Sequence, residues 1–231
     1  MQQSSDAITP RQPMANAFPL LILLLLAVVV CYGPFVGAPF VFDSLKLESD
    51  RSLQEPAPWW TAPFANTRSL VNWTFAQNYQ WGGPRPWHYR VVNIFIHFGT
   101  AALLFLLVRD TLQLASLPGE LRAHRFELAF ATALIWAVHP LNTQAVTYVI
   151  QRYESVMALL FLLAMYLFLR GTQSPRNYLW FAGAVGTCFL GMAAKPVMVV
   201  CPIVILLFDY VFVSGSWQEL VRRRWGVHAA L

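Results

Sequence analysis

From residue 17 to 36 the chain reads AFPLLILLLLAVVVCYGPFV, without one acidic or basic side chain. A run of about 20 apolar residues is what an α-helix needs to cross a hydrocarbon core of about 30 Å. Five further apolar stretches follow, at 91–108, 126–138, 155–169, 178–194 and 197–213. Inside lipid each backbone N–H and C=O must find a partner within the protein, which restricts spanning segments to helices or closed barrels. Runs of this length select helices. The expected class is therefore all-α: a polytopic helical membrane protein with about six transmembrane helices and one large outer loop, 37–90. Composition agrees. Charged residues make up 12% of the chain and mean hydropathy is +0.50, whereas a soluble domain carries roughly 25% charged residues.

Residues 36–38, Val-Gly-Ala, resemble a signal-peptidase site, but the preceding run is long for a signal peptide and Pro39 follows directly. An uncleaved anchor is expected. The predicted organisation is a cytoplasmic tail at 1–16, a membrane domain at 17–213 and a cytoplasmic amphipathic tail at 214–231. With the N-terminus inside, the short loops bearing Arg109, Arg122 and Arg125, and Arg170 and Arg176, are also inside, as the bias of basic residues toward the cytoplasm requires. The net charge of +5 is spread over the ends of apolar runs and not massed on one stripe, so nucleic acid is not an expected partner. The Arg222–Arg224 cluster suits anionic headgroups.

Spans at 126–138 and 155–169 are short. They reach a useful length only if the polar stretch between them, LNTQAVTYVIQRYE, turns back into the protein, buried or lining a watery cavity. The outer loop holds Trp59, Trp60, Trp73, Trp81 and Trp87, which suit an aromatic belt at the interface or an amphipathic helix near 69–79.

Polar groups near spans need a reason to be there. Arg90, Asn93 and His97 stand at i, i+3 and i+7, on one helical face. His139-Pro140 ends the third span, where the proline frees backbone carbonyls and the histidine could cap them. Arg152 and Glu154 open the fourth span as an ion pair or as separate ligands. Lys195 sits in a tight turn, where it could snorkel to headgroups or meet a phosphate. Asp43 follows the first span, as an exposed loop aspartate or as an acid held near the interface. Asp209 reads as a helix-end residue on the inner side. Cys31, Cys188 and Cys201 lie in apolar runs without C-x-x-C spacing, so neither a disulfide framework nor a zinc site is expected. No Walker, dinucleotide, zincin or serine-hydrolase motif occurs.

The order of four blocks, FVFDS, RSLVNWTFAQNYQWGGPRPWHYRVVNIFIHFGTAALLFLLVR, AVHPLNTQAVTYVIQRYESVMALLFLLAMYLFLRG and GMAAKPVMVVCPIVILLFDY, resembles the membrane part of the O-mannosyltransferase family that couples transmembrane helices to tetratricopeptide repeats, together with its bacterial relatives. These are similar to C-type glycosyltransferases. The resemblance covers about residues 18–213 and suggests an N-terminal portion of such a protein. It implies transfer of a sugar from a polyprenyl-phosphate carrier to a protein or glycan acceptor on the outer face of a membrane, the bacterial inner membrane among them. By resemblance, Asp43 is the catalytic carboxylate, acting as general base or binding a divalent metal. Arg68, His88, Asn93, His139, Arg152, Glu154 and Lys195 are then the substrate-binding set, with Asn72 and Tyr79 beside them. Ser44 and Gln144 replace acids common in the family. They motivate a rival reading: a non-catalytic membrane scaffold that binds the lipid carrier. A transporter ranks last, because broken helices should come in pairs and only the region between the third and fourth spans looks broken.

Overall fold

The computed structural model describes residues 17–55 and 68–231. Arg11 and the rest of the N-terminal tail, and Trp59 and Trp60, lie outside them. The described residues are helical, without a strand. Four helical stretches among them are long and apolar enough to cross a membrane: Ala17–Phe35, Pro86–Leu112, Val149–Gln173 and Pro196–Ser214. The protein is a multi-pass membrane protein.

The α-helices of six residues or more among the described residues are α1 (Ala17–Tyr32), α2 (Ser69–Gly82), α3 (Pro86–Leu112), α4 (Arg125–Ala137), α5 (Asn142–Thr147), α6 (Arg152–Gln173), α7 (Asn177–Met192), α8 (Cys201–Phe208) and α9 (Trp217–Ala230). The other two expected spans are α4 and α7. They have 13 and 16 residues, about 20 and 24 Å by helix rise, short of the hydrocarbon core. His139-Pro140 stops the first and Lys195-Pro196 follows the second, since proline supplies no N–H to continue a helix. Each packs beside longer helices, α4 on α1 and α3, α7 on α6.

Two cores hold the bundle. In one, Leu24 and Val28 of α1 meet Ala101 and Phe105 of α3 and the alanines 129, 133 and 137 of α4, all without exposed surface. Alanine at every fourth position lets helix backbones approach closely, which is how helices adhere where lipid removes the hydrophobic drive. The other core joins α2, α6, α7 and the last span through Phe75, Phe168, Ala184, Met198 and Ile205. Here Gly171 of α6 lies against the Phe181 ring of α7, where a Cβ would overlap the ring. Phe18, Leu26, Val30, Ile135 and Ile203 face outward. An apolar outer surface of this kind suits lipid.

The proline break is repaired from distant parts of the chain. The Ala137 carbonyl accepts from the Tyr32 hydroxyl at 3.0 Å and from His97 Nε2 at 2.8 Å. The Trp136 carbonyl accepts from the Asn142 amide. His139 is exposed, and its Nδ1 accepts from the Leu141 N–H. Capping of the freed carbonyls therefore falls to Tyr32, His97 and Asn142, not to His139.

The bundle has two polar ends. The loop end carries the segments after α1, α4 and α7 and the starts of α3 and α6. The tail end carries the remaining turns and α9. The helix expected at 69–79 runs Ser69–Gly82 at the loop end, where the Leu70 N–H donates to the Ala193 carbonyl at 3.1 Å. Gly83, at φ +63°, ends it and lets the chain turn into Pro86 at the start of α3.

Candidate functional site at the loop end

The polar stretch between α4 and α6 forms α5 and a 3-10 turn, Val149–Gln151. Such an interrupted segment survives in a membrane protein only if other groups take its carbonyls. Arg90 Nε donates to the Thr147 carbonyl at 3.0 Å. Asn93 donates to the carbonyls of Val146 and Val149 at 3.2 and 3.4 Å. Ser155 Oγ donates to the Ala145 carbonyl at 2.9 Å. The polar face of α3 expected from the spacing of Arg90, Asn93 and His97 is thus turned onto backbone carbonyls.

Arg152 has no exposed surface. Its Nε donates to Asn93 Oδ1 at 2.7 Å, one terminal nitrogen to the Thr74 carbonyl and hydroxyl at 3.3 Å, and the other to the Tyr89 carbonyl at 3.0 Å. The guanidinium lies 4.5 Å from the centre of the Phe75 ring. Arg90, also buried, donates further to the carbonyls of Val36, Ala38 and Pro39, clamping the chain just after the first span. Among the described residues neither guanidinium has a carboxylate within ion-pair distance. Both are compensated by neutral dipoles, so their positive charge is not cancelled locally and the surrounding field favours anions.

Asp43 lies on the 3-10 turn Phe42–Leu45 beyond that clamp. Its backbone N–H donates to the Tyr148 hydroxyl at 3.1 Å, and Ser44 Oγ accepts from the Ile150 N–H at 3.3 Å. The turn therefore docks on the segment that leads into α6. Phe42 takes a left-handed φ of +50°, rare for a bulky residue, with its ring edge-on to Tyr148. The Asp43 carboxylate is largely exposed and pairs with Lys46 at 2.9 Å.

The other expected residues fall into small groups at this end. Lys195 pairs with Glu154. The Arg68 guanidinium stands 4.8 Å over the Tyr153 ring, whose hydroxyl donates to Asn72 at 2.6 Å. His88 stacks on Trp87, and its Nε2 is buried without a partner among the described residues. Expected Arg152–Glu154 pairing is replaced by two separate networks, because successive positions along a helix face different sides. An apolar cavity of about 390 Å³ opens between α3, α6 and the last span, lined by Leu104, Trp136, Phe161, Leu162, Val197 and Val200. Val197 of its lining is two residues from Lys195 in sequence.

No family model matches the chain, and no solved structure matches it. Curated proteins do. The protein O-mannosyl-transferase Tmtc3 of Drosophila melanogaster is 26% identical over 207 residues, covering 77% of this chain and 22% of that protein. Protein O-mannosyl-transferase TMTC4 of Homo sapiens is 32% identical over 159 residues, covering 59% and 21%. Protein O-mannosyl-transferase Tmtc2 of Drosophila melanogaster is 26% identical over 201 residues, covering 78% and 20%. The chain is similar in sequence to these O-mannosyl-transferases. It spans about a fifth of the length of the curated relatives it matches.

Sequence reasoning passed over three side chains at the loop end. Tyr148 holds the Asp43 turn, Tyr153 joins Arg68 to Asn72, and Thr74 receives Arg152. Tyr148 and Tyr153 lie in the polar stretch already marked as re-entering, and tyrosines there need polar partners for their hydroxyls. Thr74 carried no such signal.

Proposed function

We propose that the chain is the membrane part of a C-type glycosyltransferase-like protein. It takes a sugar from a polyprenyl-phosphate carrier and delivers it to a hydroxyl of a protein or glycan acceptor at the loop end. The observation that carries this reading is the docking of the Asp43 turn on the Tyr148–Arg152 segment. It puts an accessible carboxylate on the same end as Arg68, Glu154 and Lys195. The apolar groove beside Val197 suits the prenyl chain, with Lys195 near its mouth as a point charge for the phosphate.

In the proposed step the acceptor oxygen attacks the anomeric carbon. The bond from that carbon to the phosphate oxygen breaks, and the phosphate leaves with the electron pair. Asp43 takes the hydroxyl proton. Lys195 and Arg68 neutralise the departing phosphate, while Arg152 and Arg90 act from behind by holding the loop and the field. No three His, Cys, Asp or Glu side chains among the described residues converge into a metal cage. A divalent cation would have Asp43 as its protein carboxylate, drawing its other oxygens from water and substrate phosphate. The N-terminus is cytoplasmic in this reading, and the loop end is the outer face.

The test is mannose transfer from a polyprenyl-phosphate mannose to an acceptor peptide by the purified chain in lipid nanodiscs. Asp43→Asn should lower the rate by roughly 100-fold or more. An unchanged rate would remove Asp43 from the chemistry. The rival reading, a carrier-binding scaffold, is favoured by one observation: the Arg152 donors are spent inside the protein. It predicts saturable binding of polyprenyl phosphate, sensitive to Lys195→Ala, with no transfer from any wild-type preparation.

A further inference from the structure

The tail end carries a helix that the proposed chemistry does not use. Asp209, at the end of the last span, has no exposed surface. It accepts from Arg224 at 2.8 Å through both oxygens, from Ser214 at 2.8 Å and from His228 Nε2 at 2.8 Å. Gly215, at φ +67°, makes the turn that sends α9 back toward this carboxylate. Ser216 caps α9 by accepting from the Glu219 N–H. With Leu220 buried on the same side, these bonds fix which face of α9 looks inward.

The strip of α9 beside this inward face is apolar, and the far side of the helix is basic. Trp217, Val221 and Trp225, at i, i+4 and i+8, are 50%, 55% and 66% exposed, with Trp217 stacked on Tyr210 of the last span. Arg222 and Arg223 lie on the side away from Asp209, with side chains 72% and 62% exposed, both paired with Glu219 on the helix itself. An apolar strip with tryptophans on one side and arginines on another, on a helix tied to the end of a membrane span, is the composition of a helix lying in a lipid–water interface. The two arginines outnumber the one carboxylate, so the matching surface is anionic.

We propose that α9 is an interfacial helix whose Trp217–Val221–Trp225 stripe enters the lipid boundary while Arg222 and Arg223 bind anionic headgroups, the whole held in register by Asp209. The occupant is a lipid surface rather than a protein, because the face belongs to an element that ends a span and is therefore at headgroup level.

The full chain is placed in nanodiscs of phosphatidylcholine, with or without 30% phosphatidylglycerol, and hydrogen exchange of residues 217–230 is followed by mass spectrometry. Native mass spectrometry counts retained phosphatidylglycerol in parallel. Protection of α9 should rise with anionic lipid. Arg222→Gln with Arg223→Gln should cut the preference for phosphatidylglycerol by roughly tenfold. Glu219→Gln separates this from simple loss of helix ion pairs. It breaks the same pairs yet adds net positive charge, so anionic preference must hold or rise. Equal protection in both lipids, a fall in preference with Glu219→Gln, or protection that scales with protein copies per disc would each overturn the proposal. None of these readouts depends on sugar transfer.

Discussion

The two ends of the bundle bury charge in opposite ways. At the tail end, basic side chains meet carboxylates: Arg224 and His228 on Asp209, Arg109 and Arg170 on Asp110. At the loop end, Arg90 and Arg152 meet carbonyls, an amide and a hydroxyl. Both solutions satisfy donors and avoid the large penalty of an unpartnered buried charge. Only the second leaves its buried guanidiniums without a carboxylate partner. The buried ion pairs of the tail end tie a helix in place, whereas the buried cations of the loop end are held by neutral dipoles and remain attractive to an anion. That asymmetry puts the proposed phosphate chemistry at one end and an architectural role at the other.

Removing Arg152 is the severest challenge to this contrast. Arg152→Ala strands the Asn93 oxygen, the Thr74 groups and the Tyr89 carbonyl, and opens a cavity against Phe75. Destabilisation of about 4 kcal/mol follows, read as a lower midpoint in an SDS titration of the detergent-solubilised protein. Arg152→Lys should recover little of it, because an ammonium lacks the planar fork that reaches three directions. Full recovery by lysine would mean that charge alone matters there.

Asp209→Asn comes next. It leaves Arg224 and His228 facing a neutral group, but the amide oxygen can still accept from Arg224, and the two side chains keep a small exposed surface. A loss of about 2 kcal/mol is expected, together with faster hydrogen exchange in α9. If α9 keeps its protection, the tail end does not depend on paired charge, and the contrast between the ends fails.

At the loop end a smaller change should dissociate function from stability. Tyr148→Phe removes the acceptor for the Asp43 N–H while keeping the ring against Phe42. About 1 kcal/mol is lost. Transfer should fall by a larger factor than folding does, through a lower kcat at unchanged carrier KM, because Tyr148 positions the acid without touching the carrier. A purely structural Tyr148 would lower the amount of folded protein and leave kcat as it was.

Much of the fold was legible in the apolar runs, since lipid leaves a chain few choices. The helix near 69–79, the Asn93 face and the re-entering stretch were readable from local spacing. Two features were not. The short lengths of α4 and α7 go with prolines just beyond them, and the carbonyls at their ends are met by residues far off in sequence: Tyr32 and His97 at Ala137, Leu70 at Ala193. Nothing in the sequence near His139 indicates that other side chains do the capping. The state of Arg152 was equally hidden. A cation opening a span reads as a ligand for phosphate, and only the tertiary positions of Thr74, Asn93 and Tyr89 reveal that its donors are committed.

The mildest perturbation bears on what Asp43 does. Its ion pair with Lys46 joins two side chains more than half exposed and one helical turn apart. Pairs of this kind contribute at most about 1 kcal/mol and commonly less. Lys46→Met should therefore move the unfolding midpoint by less than about 0.5 kcal/mol. Its effect on chemistry has a definite sign under the proposed function. A lysine beside the carboxylate competes with the acceptor hydroxyl for the same oxygens. Removing it frees those oxygens, so transfer should hold or rise modestly. A large loss on Lys46→Met would reassign the phosphate-binding cation to the Asp43 turn itself, away from Lys195, and would move the proposed site along the loop end.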